Sequence, residues 1–569
     1  MIFILRDMKY SKNEFLFIGN IIKKNMKKYT SSKKIIIVLL VGTIFLSFSF
    51  KSKFFEVAKQ IEIYNSLFKE LNMYYVDEIN PAELTDLAIK NTLKDLDPYT
   101  NFYNEQDVED ARIRREGEYA GIGVSVFYTQ EGIEISEIYK GFSADKADLK
   151  AGDVIISING QSLNNMEREQ LSMFLKGTPN TKVSIEIKRQ GEILKKELKR
   201  EKVEINPVPF YNMIDEETGY ITLTRFNNKA SSEVKKAFKD LKKQGMKKLV
   251  FDLRSNPGGS LMESINIANF FIPKGKVVVT TKAKIKKWSN TYKTSNEPLD
   301  LEMPIVVLIN GSSASASEIV SGSLQDYDRA VIMGERSFGK GLVQRQKELT
   351  YGTQLKLTIS KYYTPSGRCI QELDYTNRNL KTGEVPKFSD HGINEFKTAN
   401  GRTVFDGGGV LPDVQIETSE KTVATENLIS SKAIFNFAID YVSKNKEIAS
   451  AENFQIKDSD FKDFTKFLES DTTFVTQQES LFKKAYLSTE KNNISKEYEK
   501  IREILFENKI EEISKNKDII NELLEDQILK NYYYEEGVYK HHLKNDATIS
   551  KAMELMKNLD SYNQILSAK

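Results

Sequence analysis

The sequence predicts an α/β protein with a strand–helix core, a β-rich domain ahead of it and helical segments at both ends. Three observations predict this. From Gly219 the chain alternates nearly continuous apolar runs with amphipathic stretches. Between 116 and 203 short β-branched runs are cut by Gly121, Gly123, Gly141, Gly152, Gly160 and Gly177. After about 420 the chain is rich in Lys, Glu, Asn and Leu, with one glycine, Gly537, and no proline. Apolar strands alternating with helices imply a sheet covered on both faces. Short β-rich runs bounded by glycine imply a small sheet domain, and a tract free of proline with almost no glycine implies helices.

The elements follow in order. Phe55, Ile61, Tyr64, Leu67 and Leu71 recur at helical spacing over 54–96, and Asp97-Pro-Tyr-Thr100 ends that segment in a turn. Strands are expected at 124–128, 133–135, 154–158 and 183–187 in the small domain. The core is expected to run as strand 220–223, helix 229–244, strand 248–253, helix 260–271, strand 304–309 and helix 314–327, closed by strands around 355–363 and 410–416. The boundaries are then 1–50 for a basic and apolar leader, 51–115 for a helical segment, 116–203 for the β-rich domain, 204–418 for the core and 419–569 for a helical domain.

Bulk composition excludes several functions. The 83 basic and 80 acidic side chains give a net charge of +3, without the basic excess of a nucleic-acid binder. One cysteine, Cys369, permits no internal disulfide and no cysteine-built zinc site. His391, His541 and His542 lack metal-ligand spacing, so neither a metal nor a cofactor is expected. The run 35–50 carries no charge and follows Lys23, Lys24, Lys27, Lys28, Lys33 and Lys34, the order of an export signal. It is slightly short of the ~17–25 residues of a usual span, but Lys51 and Lys53 can extend it by snorkelling. With no clear cleavage site after it, residues 35–50 are expected to stay as a single-pass anchor with the rest of the chain outside the cytoplasm.

The chemistry is expected at three loops. In Asn310-Gly-Ser-Ser-Ala-Ser-Ala-Ser-Glu318 a helix is expected to begin near Ser315, after a buried strand. That places a hydroxyl where free N–H groups and the helix dipole favour developing negative charge, with the Ala316 N–H positioned to donate to it. Read alone, the run also fits a helix cap. Lys340 lies between Gly339 and Gly341, which let the backbone approach closely, and burial would favour its neutral form. Read alone, it is also an ordinary surface lysine. Gln344 stands four positions on, expected on the same face as Lys340, where an amide can hold the amine without adding charge. In Asp252-Leu-Arg-Ser-Asn-Pro-Gly-Gly259 the glycines can offer another N–H; the loop lacks the Gly-Lys-Ser/Thr ending of a phosphate loop.

In the β-rich domain, Tyr119-Ala-Gly-Ile-Gly-Val-Ser125 can turn several N–H groups toward one carboxylate, next to a strand edge that can pair with an extended peptide. With Gly141-Phe-Ser-Ala-Asp-Lys-Ala-Asp-Leu149 and Ala151-Gly-Asp-Val-Ile-Ile-Ser-Ile-Asn-Gly160, this segment resembles a PDZ domain of the bacterial protease type. The resemblance implies capture of a free C-terminus by the N–H groups of Ile122, Gly123 and Val124.

Taken with Asp97-Pro-Tyr-Thr100, Gly339-Lys-Gly-Leu-Val-Gln344, Tyr362-Tyr-Thr-Pro-Ser-Gly-Arg368 and Gly408-Gly-Val-Leu-Pro-Asp413, these motifs resemble the C-terminal processing peptidases, tail-specific serine proteases with a Ser–Lys dyad. The resemblance covers about 60–416. It implies a Clp/crotonase-like ββα core with an inserted PDZ domain, Ser315 as nucleophile, Lys340 as general base and Gln344 as its orienting residue. Ala316 and one of Gly258 or Gly259 would form the oxyanion hole. It further implies protein substrates held by their C-termini, no cofactor, and a place in the bacterial cell envelope on the outer side of the cytoplasmic membrane. A regulatory protein partner or a homo-oligomer is compatible with it. The alternative is a non-catalytic PDZ protein that tethers exported tails.

Overall fold

A computed structural model describes residues 53–379, 381–391, 393–417, 419–488 and 495–567. The segment 35–50, expected as a membrane anchor, lies outside the described residues; among those described, no helix is long and apolar enough to cross a membrane. The chain divides into two units, Met1–Asn91 and Thr92–Lys569.

The first unit holds the helix Lys53–Tyr74 and most of the helix Pro81–Lys94. The expected single helical stretch is broken between them. Asn80 Oδ1 accepts the Ala82 N–H at 3.0 Å, and Pro81 fills the first helical position, where its missing N–H is no loss. Phe55, Ile61, Tyr64, Leu67 and Leu71 are all exposed.

The core of the second unit is a six-stranded sheet in the order Tyr211–Met213, Thr218–Thr222, Lys248–Asp252, Ile305–Ile309, Val331–Gly334, Val414–Gln415. The first pair is antiparallel and all later pairs are parallel. The strand expected over 410–416 pairs only at Val414–Gln415: Val410 is bonded to Ser337 instead, and Pro412 has no N–H to give a ladder. Side-chain alternation sends Leu249, Phe251, Ile305, Val307 and Ile309 to one face. There they meet Val234, Phe238 and Leu241 of helix Ala230–Lys243, Ile265 and Ile267 of helix Leu261–Ala268, and Ile319, Val320 and Leu324 of helix Ala316–Asp326. Val250, Val306, Leu308, Val331 and Met333 take the other face, which the end of the chain covers: Ile549, Ala552 and Met556 of helix Ala547–Lys557 and Tyr562 of helix Leu559–Leu566.

A second sheet joins Asn101–Tyr103, Leu342–Glu348, Val277–Ala283 and Thr291–Lys293 around the long strand Gln354–Tyr363. The strand Asn101–Tyr103 thus interrupts a segment expected to be helical. It is followed by helix Glu105–Glu116, which Gly117 ends in the left-handed region at φ 70°.

The β-rich domain enters and leaves the fold through a two-stranded neck, Glu118–Gly121 against Glu201–Glu204. Its sheet runs Val124–Thr129, Gly132–Ile138, Val154–Ile158, Lys182–Arg189, Glu192–Lys199, so Val124–Thr129 is an edge strand. The helical domain beyond 420 contacts this β-rich domain as well as the core. Phe127 packs edge-on against Phe435 at 5.4 Å, and the Tyr534 hydroxyl donates to Asp145 Oδ1 at 2.7 Å. At the core, Asp546 holds Arg254 at 2.6 Å beyond the Lys248–Asp252 strand, and the Arg254 guanidinium also grips Asp252.

Candidate active site

Four serines crowd the turn after strand Ile305–Ile309 and the start of helix Ala316–Asp326, and their environments differ. The Ser313 hydroxyl donates to Leu253 O at 2.8 Å and the Ser317 hydroxyl to Asn256 O at 2.9 Å, so both are spent on fixing the loop Asp252-Leu-Arg-Ser-Asn-Pro-Gly-Gly259. Ser312 is exposed. Ser315 is half-buried at the helix N-terminus, and its hydroxyl donates to no described residue. Its backbone lies at φ 55°, ψ −107°, where a non-glycine residue is strained by roughly 1–3 kcal/mol, a feature concentrated at functional sites.

The strain is held by Glu318. This carboxylate is fully buried. Its Oε2 accepts the N–H of Ser315 at 2.7 Å and of Lys340 at 3.0 Å, and its Oε1 accepts the N–H of Gly339 at 2.7 Å and the Ser337 hydroxyl at 2.6 Å. One side chain therefore ties the serine turn to the lysine loop. Burial pushes its carboxyl up to about 7, against the pull of the bonds it accepts. In the sequence, Glu318 stands only as the end of a motif. Its spacing from Ser315 is that of a capping box, which hides the reach to Lys340.

Lys340 lies in the loop before strand Leu342–Glu348, while Gln344 lies within it. The expectation that four-residue spacing alone puts them on one face of a regular element therefore fails. The lysine loop is instead pressed against a neighbouring strand of chain. A Cβ on Gly339 would stand 2.7 Å from Glu372 Cβ, and one on Gly341 would stand 2.7 Å from the Gln371 nitrogen. Burial, reinforced by the charge of Lys356, pulls the Lys340 amine down to about 8, overcoming the opposing pull of Glu318 and Asp97. The amine sits over the Tyr99 ring, 4.2 Å from its centroid, and donates to no described polar group, Ser315 and Gln344 included.

Gln344 faces Thr358 on the adjoining strand, after a bulge at Val343/Gln344. Its Nε2 donates to Thr358 Oγ1 at 3.2 Å, and Thr358 Oγ1 donates to Asp97 Oδ1 at 3.0 Å. The turn Asp97-Pro-Tyr-Thr100 is thus part of the site and not merely the end of a helix. Its tyrosine underlies Lys340 and its aspartate braces the partner of Gln344. No sequence signal links positions so distant in the chain.

The glycine loop meets the serine directly. A Cβ on Gly258, at φ 93°, would stand 2.7 Å from Ala314 O, 2.8 Å from Ala316 N and 2.9 Å from Ser315 Cβ, so only glycine fits there. The Gly258 N–H donates to Asn256 Oδ1 at 2.9 Å, and the Asn256 amide donates to Leu223 O at 2.6 Å. Gly259 bridges Phe226, whose carbonyl oxygen a Cβ would strike. The N–H groups of Ala316 and Gly259 donate to no described residue.

In the β-rich domain, Ile122 is buried and its carbonyl accepts the Ala144 N–H at 2.9 Å, while the Gly123 carbonyl accepts the Tyr139 N–H at 3.0 Å. With their carbonyls committed, the N–H groups of Ile122 and Gly123 remain without a described acceptor. Gly123 has φ 83° and lies against Phe142, and Val124 starts the edge strand. Among the described residues no cluster of His, Cys, Asp and Glu could hold a metal ion.

Residues 217–377 match peptidase family S41, residues 110–188 match the PDZ domain, and residues 424–556 match the probable PDZ-protease C-terminal helical domain. A probable CtpA-like serine protease of Staphylococcus aureus strain COL is 30% identical over 466 residues, covering 81% of this chain and 83% of the relative. Its counterpart in strain MRSA252 is 33% identical over 383 residues, covering 64% of this chain and 75% of the relative. Among solved structures, the photosystem II D1 C-terminal processing protease is 26% identical, covering 62% of this chain and 92% of its own, with a TM-score of 0.34. On its sequence relatives, the chain belongs to peptidase family S41 and is a serine-type C-terminal processing peptidase with a PDZ domain and a helical C-terminal domain.

Proposed function

We propose that this chain is a membrane-anchored endopeptidase that takes exported proteins by their C-termini and cuts them with a Ser315–Lys340 dyad. The carrying observation is the contrast within the serine turn: Ser315 alone combines a strained backbone, a helix N-terminus and a hydroxyl that donates to no described residue, in a turn that Glu318 ties to the loop of a lysine whose amine is drawn down to about 8.

In this reading the PDZ domain holds the substrate carboxylate on the N–H groups of Ile122, Gly123 and Val124, and the adjoining edge strand pairs with the extended tail. The Lys340 amine leaves the Tyr99 ring and, while neutral, takes the Ser315 proton as Oγ bonds to the scissile carbonyl carbon. The carbonyl oxygen becomes an oxyanion, accepting from the Ala316 N–H and from the glycine loop. There Gly258 gives the close approach and Gly259 the unclaimed N–H. The Lys340 ammonium then protonates the leaving amine as the C–N bond breaks. Water hydrolyses the acyl ester by the same proton path reversed, and Gln344 orients the amine throughout. The basic run followed by the uncharged segment 35–50 supports an envelope location with the catalytic part outside the cytoplasm.

The full chain carrying Ser315→Ala is expected to bind a peptide with a free C-terminal carboxylate as tightly as the unaltered chain and to cleave nothing. Cleavage at the original rate by this variant would remove Ser315 from the nucleophile's place. Binding unaltered by amidation of the peptide's C-terminus would remove the carboxylate from the recognition.

A further inference from the structure

We infer that Asp97 and Thr358 are positioning residues that dictate which end of the Gln344 amide faces Lys340. The inference rests on the dyad reading above and extends it outward by two residues.

The polarity of the hydrogen bonds leaves no choice. A carboxylate can only accept. Asp97 Oδ1 accepts the N–H of Tyr99 and of Thr100, each at 2.9 Å, and the Thr358 hydroxyl at 3.0 Å; its Oδ2 accepts the Thr100 hydroxyl at 2.9 Å. The single proton of the Thr358 hydroxyl is thereby committed to Asp97, so the Thr358 oxygen is left as an acceptor. The group facing it is Gln344, which must present its NH2 end, and Nε2 donates at 3.2 Å. The carbonyl end, Oε1, is then turned away from Thr358 and accepts from no described residue, free to receive an N–H from the lysine amine.

The relay is fixed from both sides. Thr358 donates its own backbone N–H to Thr100 Oγ1 at 3.2 Å. Gln344 and Thr358 are direct cross-strand partners, aligned by the bulge beside Gln344, and such bulges re-aim side chains next to active sites. The same turn lays Tyr99 beneath Lys340, with its ring edge-on to Tyr375 at 6.2 Å. One turn at Asp97 thus sets both the platform of the base and the orientation of the amide that steadies it. An amide oxygen stabilises the ammonium that forms when Lys340 takes the proton. An amide NH2 in that place would oppose it.

The test compares variants of the full chain in detergent by the rate at which a fluorophosphonate probe phosphonylates Ser315, with loss of fluoride, as a function of pH. Thr358→Val keeps the side-chain shape and removes the hydroxyl. Asp97→Ala removes the acceptor, so the Thr358 proton is no longer committed and can turn to Gln344. Each is expected to slow labelling on the order of 10²-fold and to move the pH inflection downward, because the ammonium loses its carbonyl partner. Thr358→Ser, which keeps the hydroxyl, is expected to restore most of the rate. In a Gln344→Ala background, Thr358→Val is expected to add no further loss, since it acts only through Gln344. Unchanged rates in both Thr358→Val and Asp97→Ala, or a loss that persists undiminished in the Gln344→Ala background, would overturn the inference. Should Thr358→Val fail to fold, Asp97→Ala carries the same test. Failure of the underlying dyad reads differently: Lys340→Ala would then be labelled as fast as the unaltered chain.

Discussion

Replacing Lys340 by methionine is expected to abolish peptide cleavage and, in the same protein, to raise the unfolding temperature at neutral pH. Both effects have one cause. The folded chain holds the amine at about 8 against an ordinary 10.5, chiefly because burial strips its water. Below about 8 both the folded and the unfolded chain carry the proton, and the folded state bears the full penalty of a desolvated charge, about 3 kcal/mol at 1.36 kcal/mol per pH unit. The penalty fades as pH rises from about 8 toward 10.5, and above that both states are neutral. Methionine keeps much of the volume without the charge, so the gain in stability is largest below pH 8 and vanishes toward pH 10.5. Activity is expected to fall by roughly 10⁴-fold, as when a proton-transfer partner is removed from other serine peptidases. Calorimetry of the two chains at pH 7 and pH 10.5, beside a peptide cleavage assay, checks both halves. A methionine variant that is less stable at pH 7 would mean that Lys340 is held by a favourable contact and not stored at a penalty.

The second large effect lies beneath the site. Arg368 is fully buried, 2.8 Å from the equally buried Asp326 at the end of the Ser315 helix, and donates to Gln325 Oε1 at 2.7 Å. Asp326 Oδ2 also accepts the Ser366 N–H at 2.9 Å, tying the helix to the turn at Thr364-Pro-Ser-Gly-Arg368. Removing one partner of a buried pair leaves an uncompensated charge, so Arg368→Met is expected to lower stability by about 3–5 kcal/mol. Removing both charges, as Asp326→Asn with Arg368→Met, is expected to recover much of that loss. Chemical unfolding followed by tryptophan fluorescence can use Trp288, the only tryptophan of the chain. A single variant as stable as the unaltered chain, or a double variant no better than the single, would contradict this account of the pair.

How far the sequence could be read depended on whether a feature is local. Ser315, Lys340, Gln344 and Gly258 lie in short runs whose composition signals turns and helix starts, and the alternation of apolar strands in the core follows from period-two burial on a sheet covered by helices. The features that were hidden all span long distances in the chain. Glu318 has a local spacing that matches a helix cap, yet half of its work is at Gly339 and Lys340. Thr358 looks like any strand threonine until Asp97 reaches it across 261 positions. The helical domain after 420 carries no functional signal in its sequence, and what the structure adds is contact: Tyr562 donates to the Ile305 carbonyl at 3.0 Å, Asp546 holds Arg254, and Tyr534 meets Asp145 in the PDZ domain. Such placements arise from packing, which periodicity does not encode. Lys340 and Gln344 do not share a face of one regular element for the same reason. The loop that carries the lysine is shaped by Glu318, Gln371 and Glu372, and not by the period of a strand.

The most direct test of the central claim is the site and pH dependence of phosphonylation by a fluorophosphonate probe, read by mass spectrometry of the full chain. The account predicts a single label on Ser315, formed at a rate that rises with pH through an inflection near 8 and lost in Lys340→Met. A label on another residue, or a rate on Ser315 indifferent to Lys340, would contradict it.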